Sequence, residues 1–261
     1  MTTEQTITFF RRMLRIARTE IAALSALFVV TAGLAIFADL AEDMREGDGQ
    51  AFDQAILSAM RPHADLSDAW GPWWLEEAAA DLTSLGGIAV LTLFAIIVIL
   101  FLFLQRKNLS ALLLLVGLGG GVVLSEGLKS VFERDRPPQI YQAVDTINAS
   151  FPSGHALLSA VFYLSIAVML TRAFPRRRFK AYVLGVGVAL TLIVGLTRIY
   201  LGAHWATDVF AGWSVGAAWA MTLWLVAYAI QRRQAVHEKG LHDEVLPPEP
   251  VTDTPPAVIG E

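Results

Sequence analysis

Lys129 and Arg136-Pro137, the run Pro152-Ser153-Gly154-His155, and Arg198 followed by His204 and Asp208 together suit one piece of chemistry. Arginine offers a planar fork to two oxygens of a phosphate and lysine adds a mobile point charge. Three such cations can neutralise both a bound dianion and the charge that develops as it reacts. Pro152 favours a first helical turn and Gly154 lets the backbone approach a ligand closely, so the amides of a helix beginning there face an anion. Ser153 has a hydroxyl to donate, and His155, with an ordinary pKa of about 6.5, suits protonation of a leaving alkoxide. His204 and Asp208 are four residues apart. On a helix beginning there they share a face, so Asp208 accepts from one imidazole nitrogen and leaves the other free as a nucleophile.

Taken singly, each of these residues has a plainer explanation. A cation beside a membrane span is satisfied by lipid headgroups or by an ion pair with Glu133 or Asp135, a serine before a helix is a cap, and an interfacial histidine needs no reaction. His155, His204 and Asp208 also match a two-histidine, one-carboxylate zinc set, but three nearby cations oppose a divalent ion and already neutralise the same charge. It is the set of three cations beside two histidines that argues for phosphate-ester chemistry.

The elements carrying these residues are membrane spans. Apolar residues make up 55% of the 261 and charged residues 17%, below the roughly 25% of soluble domains, and mean hydropathy is +0.52. The formal charge of −4 and the lack of a basic face argue against nucleic acid, and with no cysteine there is neither disulfide nor thiol catalysis. Six apolar stretches of about 20 residues lie near 20–40, 84–104, 109–128, 154–172, 181–200 and 207–230. The expected fold is all-α, a six-transmembrane helical bundle over residues 19–232 with its core at 80–230. Residues 1–18, with Arg11, Arg12, Arg15 and Arg18, suit a cytoplasmic interfacial helix, and 233–261 reads as a disordered cytoplasmic tail.

Arg106-Lys107, Arg172 through Lys180 and Arg232-Arg233 mark the cytoplasmic side. Both termini then belong in the cytoplasm of a multi-pass inner-membrane protein, and all three motif segments converge on the extracytoplasmic face. The connection 41–83 sits on that face too. Phe52, Ile56 and Met60 at helical spacing, then Trp70, Trp73 and Trp74, suit an interfacial helix and aromatic girdle, serving either as a covering loop or as a gate. Gly117, Gly119, Gly120 and Gly121 read as close helix packing.

The pattern Lys129-(x6)-Arg136-Pro137, Pro152-Ser153-Gly154-His155 and Arg198-(x5)-His204-(x3)-Asp208 resembles the three-part signature of the type-2 phosphatidic acid phosphatase superfamily, over roughly residues 80–230. Thr197 departs from it where the family commonly has Ser, keeping a hydroxyl. The resemblance implies a double displacement needing no metal or cofactor: His204 attacks phosphorus, Asp208 orients it, and His155 protonates the leaving group. Lys129, Arg136, Ser153, Gly154 and Arg198 hold the phosphoryl oxygens.

A site at the membrane surface favours a substrate whose tail stays in the bilayer. Undecaprenyl diphosphate comes first by family analogy, with phosphatidylglycerol phosphate, phosphatidic acid and lipid A phosphates beside it. The competing classes are a binding or transport protein without hydrolysis and a phosphotransferase passing the group to a second lipid. Oligomeric state is not legible in the sequence.

Overall fold

The computed structural model describes residues 3–61, 65, 66, 68–144 and 148–245, with side chains described between 20 and 237. Its α-helices are α1 (Thr3–Glu46), α2 (Gln50–Ala59), α3 (Trp73–Thr83), α4 (Ile88–Leu104), α5 (Asn108–Phe132), α6 (Gly154–Thr171), α7 (Arg177–Tyr200) and α8 (Ala206–Val245), and no strand occurs among the described residues. The chain divides into two compact units, residues 1–227 and 228–261, and every contact discussed below lies in the first.

Among the described residues, five helical stretches are long and apolar enough to cross a bilayer: Glu20–Glu46, Asn108–Phe132, Gly154–Thr171, Arg177–Tyr200 and Ala206–His237. A sixth crossing is made only if Trp73–Gly86 and Ile88–Leu104 count as one span broken by 48°. Beside the break lies Gly86, where an added Cβ would collide with Val194 Cγ1 and lie 3.3 Å from the His155 Cβ, so the chain there packs directly against α6 and α7. Tyr163 secures the bend by donating its hydroxyl to the Leu85 carbonyl at 2.8 Å. Apolar side chains such as Leu24, Phe28, Leu93, Ile97, Leu100 and Leu104 remain exposed on α1 and α4, the surface a lipid-embedded helix presents. The protein is a multi-pass membrane protein.

The core is α6, whose residues from Ala156 to Phe162 are all buried. Ala156 and Ala160 face Gly212 and Gly216 of α8, where an added Cβ would meet the Ser153 and Leu157 carbonyl oxygens at 2.6 and 2.5 Å. The two backbones are therefore in contact, and small residues are what permit it. Within the glycine run of α5, Gly117, Gly120 and Gly121 pack against Leu223, Trp219 and Leu158, as expected, whereas Gly119 has open space. Buried indole N–H groups find acceptors: Trp213 donates to the Thr191 carbonyl and Trp219 to that of Gly117, both at 3.0 Å.

Residues 3–18 are helical and run on into the first span as one helix, α1, because nothing in residues 3–19 breaks a helix that the apolar stretch already nucleates. One expectation needs correction. Helix α8 runs on to Val245, past Arg233, where the tail was expected to start. Gln231 to Ala235 are good helix formers, and the first proline comes only at Pro247. The rest of that tail, 246–261, lies outside the described residues.

Candidate active site

Four helix ends build the site: the C-termini of α5 and α7 and the N-termini of α6 and α8. Helix α5 stops at Glu133, whose left-handed φ of 45° turns the chain inward. Helix α7 stops at Gly202, φ 65°, in a Schellman turn: the Ala203 amide donates to the Arg198 carbonyl at 3.1 Å and the Gly202 amide to that of Ile199 at 3.0 Å. Two residues on, His204 arrives at the start of α8. The segment before α6 is anchored by Phe151, fully buried and packed with Phe37 of α1 and Phe132 of α5 at ring separations of 5.7 and 4.9 Å.

Lys129, Arg136, Gly154, His155, Arg198 and His204 line one cavity of about 390 Å³. The expected residues are thus brought together, except that Ser153 and Asp208 lie behind its wall, each fully buried. Ser153 caps α6, its hydroxyl accepting from the Ala156 amide at 3.5 Å, while its own amide donates to the Asp208 carbonyl at 2.9 Å. His155, His204 and Asp208 do not form a metal-binding group among the described residues.

His204 is held from both sides. Its Nδ1 lies 3.4 Å from Asp208 Oδ2, and its Nε2 lies 3.2 Å from Arg136 NH1. A guanidinium only donates, so Nε2 must carry the lone pair and Nδ1 the proton. Burial, together with the charges of Arg136, Arg198 and Lys129, pushes the His204 pKa well below the ordinary imidazole range, offset in part by a hydrogen bond to the Ser150 main chain. The ring is therefore neutral at neutral pH, with the Nε2 lone pair turned to Arg136.

The cations are neither idle nor paired as the sequence offered. Lys129 meets Glu126, one helical turn away, at 2.7 Å rather than Glu133 or Asp135. Arg136 donates to the carbonyls of Asn148, Ala203 and Ala149 at 2.5, 2.7 and 3.4 Å, which aims its face at the cavity. Arg198 reaches Thr83 Oγ1 at 3.4 Å, and its Nε has no hydrogen-bond partner among the described residues, nor has the buried Ser125 Oγ in the same cavity wall.

Sequence reasoning missed Ser125, Glu126 and Asn148 in the wall and Asp53, Arg61 and Arg134 behind it. For Ser125 a signal existed, since it precedes Lys129 by four residues and must share its helix face. Arg61, 4% exposed, donates to the Tyr141 and Tyr200 carbonyls at 2.7 and 3.0 Å and so ties the connection after α2 to the end of α7. The connection 41–83 is thus tied to the chain that frames the site.

The PAP2 superfamily pattern matches residues 109–232. Phosphatidylglycerophosphatase B of Bacillus subtilis (strain 168) is 34% identical over 147 residues, 55% of this chain and 70% of that protein. Undecaprenyl-diphosphatase of Sulfolobus acidocaldarius is 29% identical over 123 residues, 45% of this chain and 55% of that one. The crystal structure of a transmembrane PAP2-type phosphatidylglycerolphosphate phosphatase from Bacillus subtilis superposes with a TM-score of 0.68 at 27% identity, over 85% of this chain and all of that one. The matched interval holds every motif residue from Lys129 to Asp208, and the shared backbone extends well beyond it: the chain belongs to the PAP2 superfamily.

Proposed function

We propose that this protein is a membrane lipid phosphatase that works through a phosphohistidine on His204 and needs no metal. The observation that carries the reading is the His204 ring itself, with Nδ1 backed by a buried carboxylate and Nε2 beside Arg136 at a cavity that Lys129, Arg136 and Arg198 make cationic. In the first step the Nε2 lone pair attacks phosphorus and the P–O bond to the lipid breaks. The electron pair leaves on that oxygen, which takes a proton from His155. In the second step neutral His155 takes a proton from water as the water oxygen attacks phosphorus, and the P–N pair returns to Nε2. The bound dianion supplies the counter-charge that lets His155 carry a proton among three cations.

Lys129 and Arg198 sit where helix ends meet the cavity, at the level of a bilayer surface, which suits a phosphate whose tail stays in lipid. The basic turns Arg106-Lys107 and Arg172 to Lys180 belong to the opposite end of the bundle, since α5 ends and α6 begins at the site. By the positive-inside rule the site then faces away from the cytoplasm. Family analogy favours undecaprenyl diphosphate; the Bacillus subtilis sequence and crystal structure, matched over most of their length, favour phosphatidylglycerol phosphate.

Purified protein in detergent with chelator should release phosphate from at least one of undecaprenyl diphosphate, phosphatidylglycerol phosphate and phosphatidic acid. No release by folded protein would move the reading to binding or transport, and labelled phosphate recovered in a second lipid would make it a transferase. The pH profile is a second check. Because His204 is held well below its ordinary pKa, it stays neutral as pH falls through about 6.5. The acid limb of kcat/KM, corrected for substrate ionisation, should therefore lie below that pH and persist in His155→Ala. A limb above it would contradict the assignment.

A further inference from the structure

Helix α2 carries one buried carboxylate. Asp53 is 1% exposed on a helix whose neighbouring Phe52 is half exposed. A buried charge is costly unless paired, and Asp53 is paired completely. Its Oδ1 accepts from the Thr207 amide at 3.0 Å, one of the amides left open at the start of α8. Its Oδ2 accepts from the Thr207 hydroxyl at 2.6 Å and from Arg134 NH2 at 2.7 Å. The other arm of the same guanidinium, NH1, donates to Asp208 Oδ1 at 2.6 Å and to Thr207 Oγ1 at 2.7 Å. Asp208 Oδ2 is thereby left for His204 Nδ1 and the Trp205 amide, which reaches it at 3.0 Å as in a capping box.

This arrangement does two things for Asp208. Arg134 lies in irregular chain just past the end of α5, so no helix fixes where its fork points; the contact with Asp53 does. The charge also matters. One guanidinium between two carboxylates leaves a net negative charge against His204, whose remaining neighbours Lys129, Arg136 and Arg198 are cations. Were Arg134 to face Asp208 alone, it would cancel the carboxylate just when the imidazole becomes positive on bonding phosphorus. Attachment of α2 does not need the ion pair, because Ile56 already packs against the apolar cluster of Ala206 and Val209.

We propose that Asp53 is a positioning residue for phosphoryl transfer, acting through Arg134 to fix the orientation and charge of Asp208 behind His204. The inference rests on His204 as nucleophile. Full-length Asp53→Asn, assayed in detergent with whichever of the three lipids the wild type cleaves fastest, should lose about 30-fold or more in kcat with KM within about 3-fold, the sign of an interaction made in the transition state. A folded variant with kcat within about 2-fold, or with only KM changed, would overturn it. If Asp53→Asn does not fold, Arg134→Lys decides, since a lysine has no second arm with which to span Asp53 and Asp208. A fall in kcat at unchanged KM supports the proposal, and an unchanged kcat overturns it. His204→Ala in the same assay separates the two claims: if it is active, the nucleophile assignment fails; if it is dead while Asp53→Asn is normal, only the role of Asp53 fails.

Discussion

His204→Ala should lower kcat by roughly 10⁴-fold or more while leaving the helical bundle folded. The rate loss follows from the one imidazole lining the cavity, among the described residues, whose Nδ1 is backed by a carboxylate so that Nε2 keeps its lone pair. On the proposed mechanism, removing it takes away the atom that bonds phosphorus, which no neighbouring cation can replace. The fold survives because little else depends on the ring. Arg136 keeps its bonds to the carbonyls of Asn148, Ala149 and Ala203, and Asp208 keeps Arg134 and the Trp205 amide. Thermal unfolding of the variant in detergent should match the wild type within a few degrees, and phosphate release measures the rest. Normal turnover by folded His204→Ala would end the phosphohistidine account.

For His155→Ala the expected loss is about 10²- to 10⁴-fold, and its size should depend on the leaving group. An alkoxide leaving from phosphatidylglycerol phosphate or phosphatidic acid is a strong base and needs the proton that His155 donates. A lipid phosphate leaving from undecaprenyl diphosphate is a far weaker base, so the same substitution should cost less with that substrate. His204→Ala should show no such dependence, because the nucleophile is needed whatever leaves. Comparing both variants on a phosphomonoester and a diphosphate separates the roles. Read in kcat/KM, which reports the first displacement and not the later hydrolysis, an equal loss on both substrates for His155→Ala would point to phosphate binding rather than proton donation.

The motif residues were legible because each does its work close to where the chain announces it. Pro152-Ser153-Gly154 reads as a helix start, and the four-residue step from His204 to Asp208 reads as a shared helix face. The framework behind them was not legible. Arg134 stands between Glu133 and Asp135, so its charge looked locally balanced; the left-handed turn at Glu133 instead sends it to Asp208 and Asp53. Asp53 lies 81 residues from Arg134 in sequence, and no local pattern distinguishes a carboxylate that will be buried there from one on a solvated face. The apolar runs gave the span positions. They did not give the 48° break beside Gly86, whose close neighbours Val194 and His155 are 108 and 69 residues away in sequence.

The central claim is that phosphorus is bonded to His204 between two displacements. It is tested most directly by mixing enzyme with substrate labelled in the transferred phosphate, quenching rapidly in base, and mapping the labelled peptide. The account predicts acid-labile, base-stable phosphate on the peptide containing His204, appearing before free phosphate, lasting longer in His155→Ala and absent from His204→Ala. Full turnover with no labelled protein at any time, or label on a different residue, would contradict it.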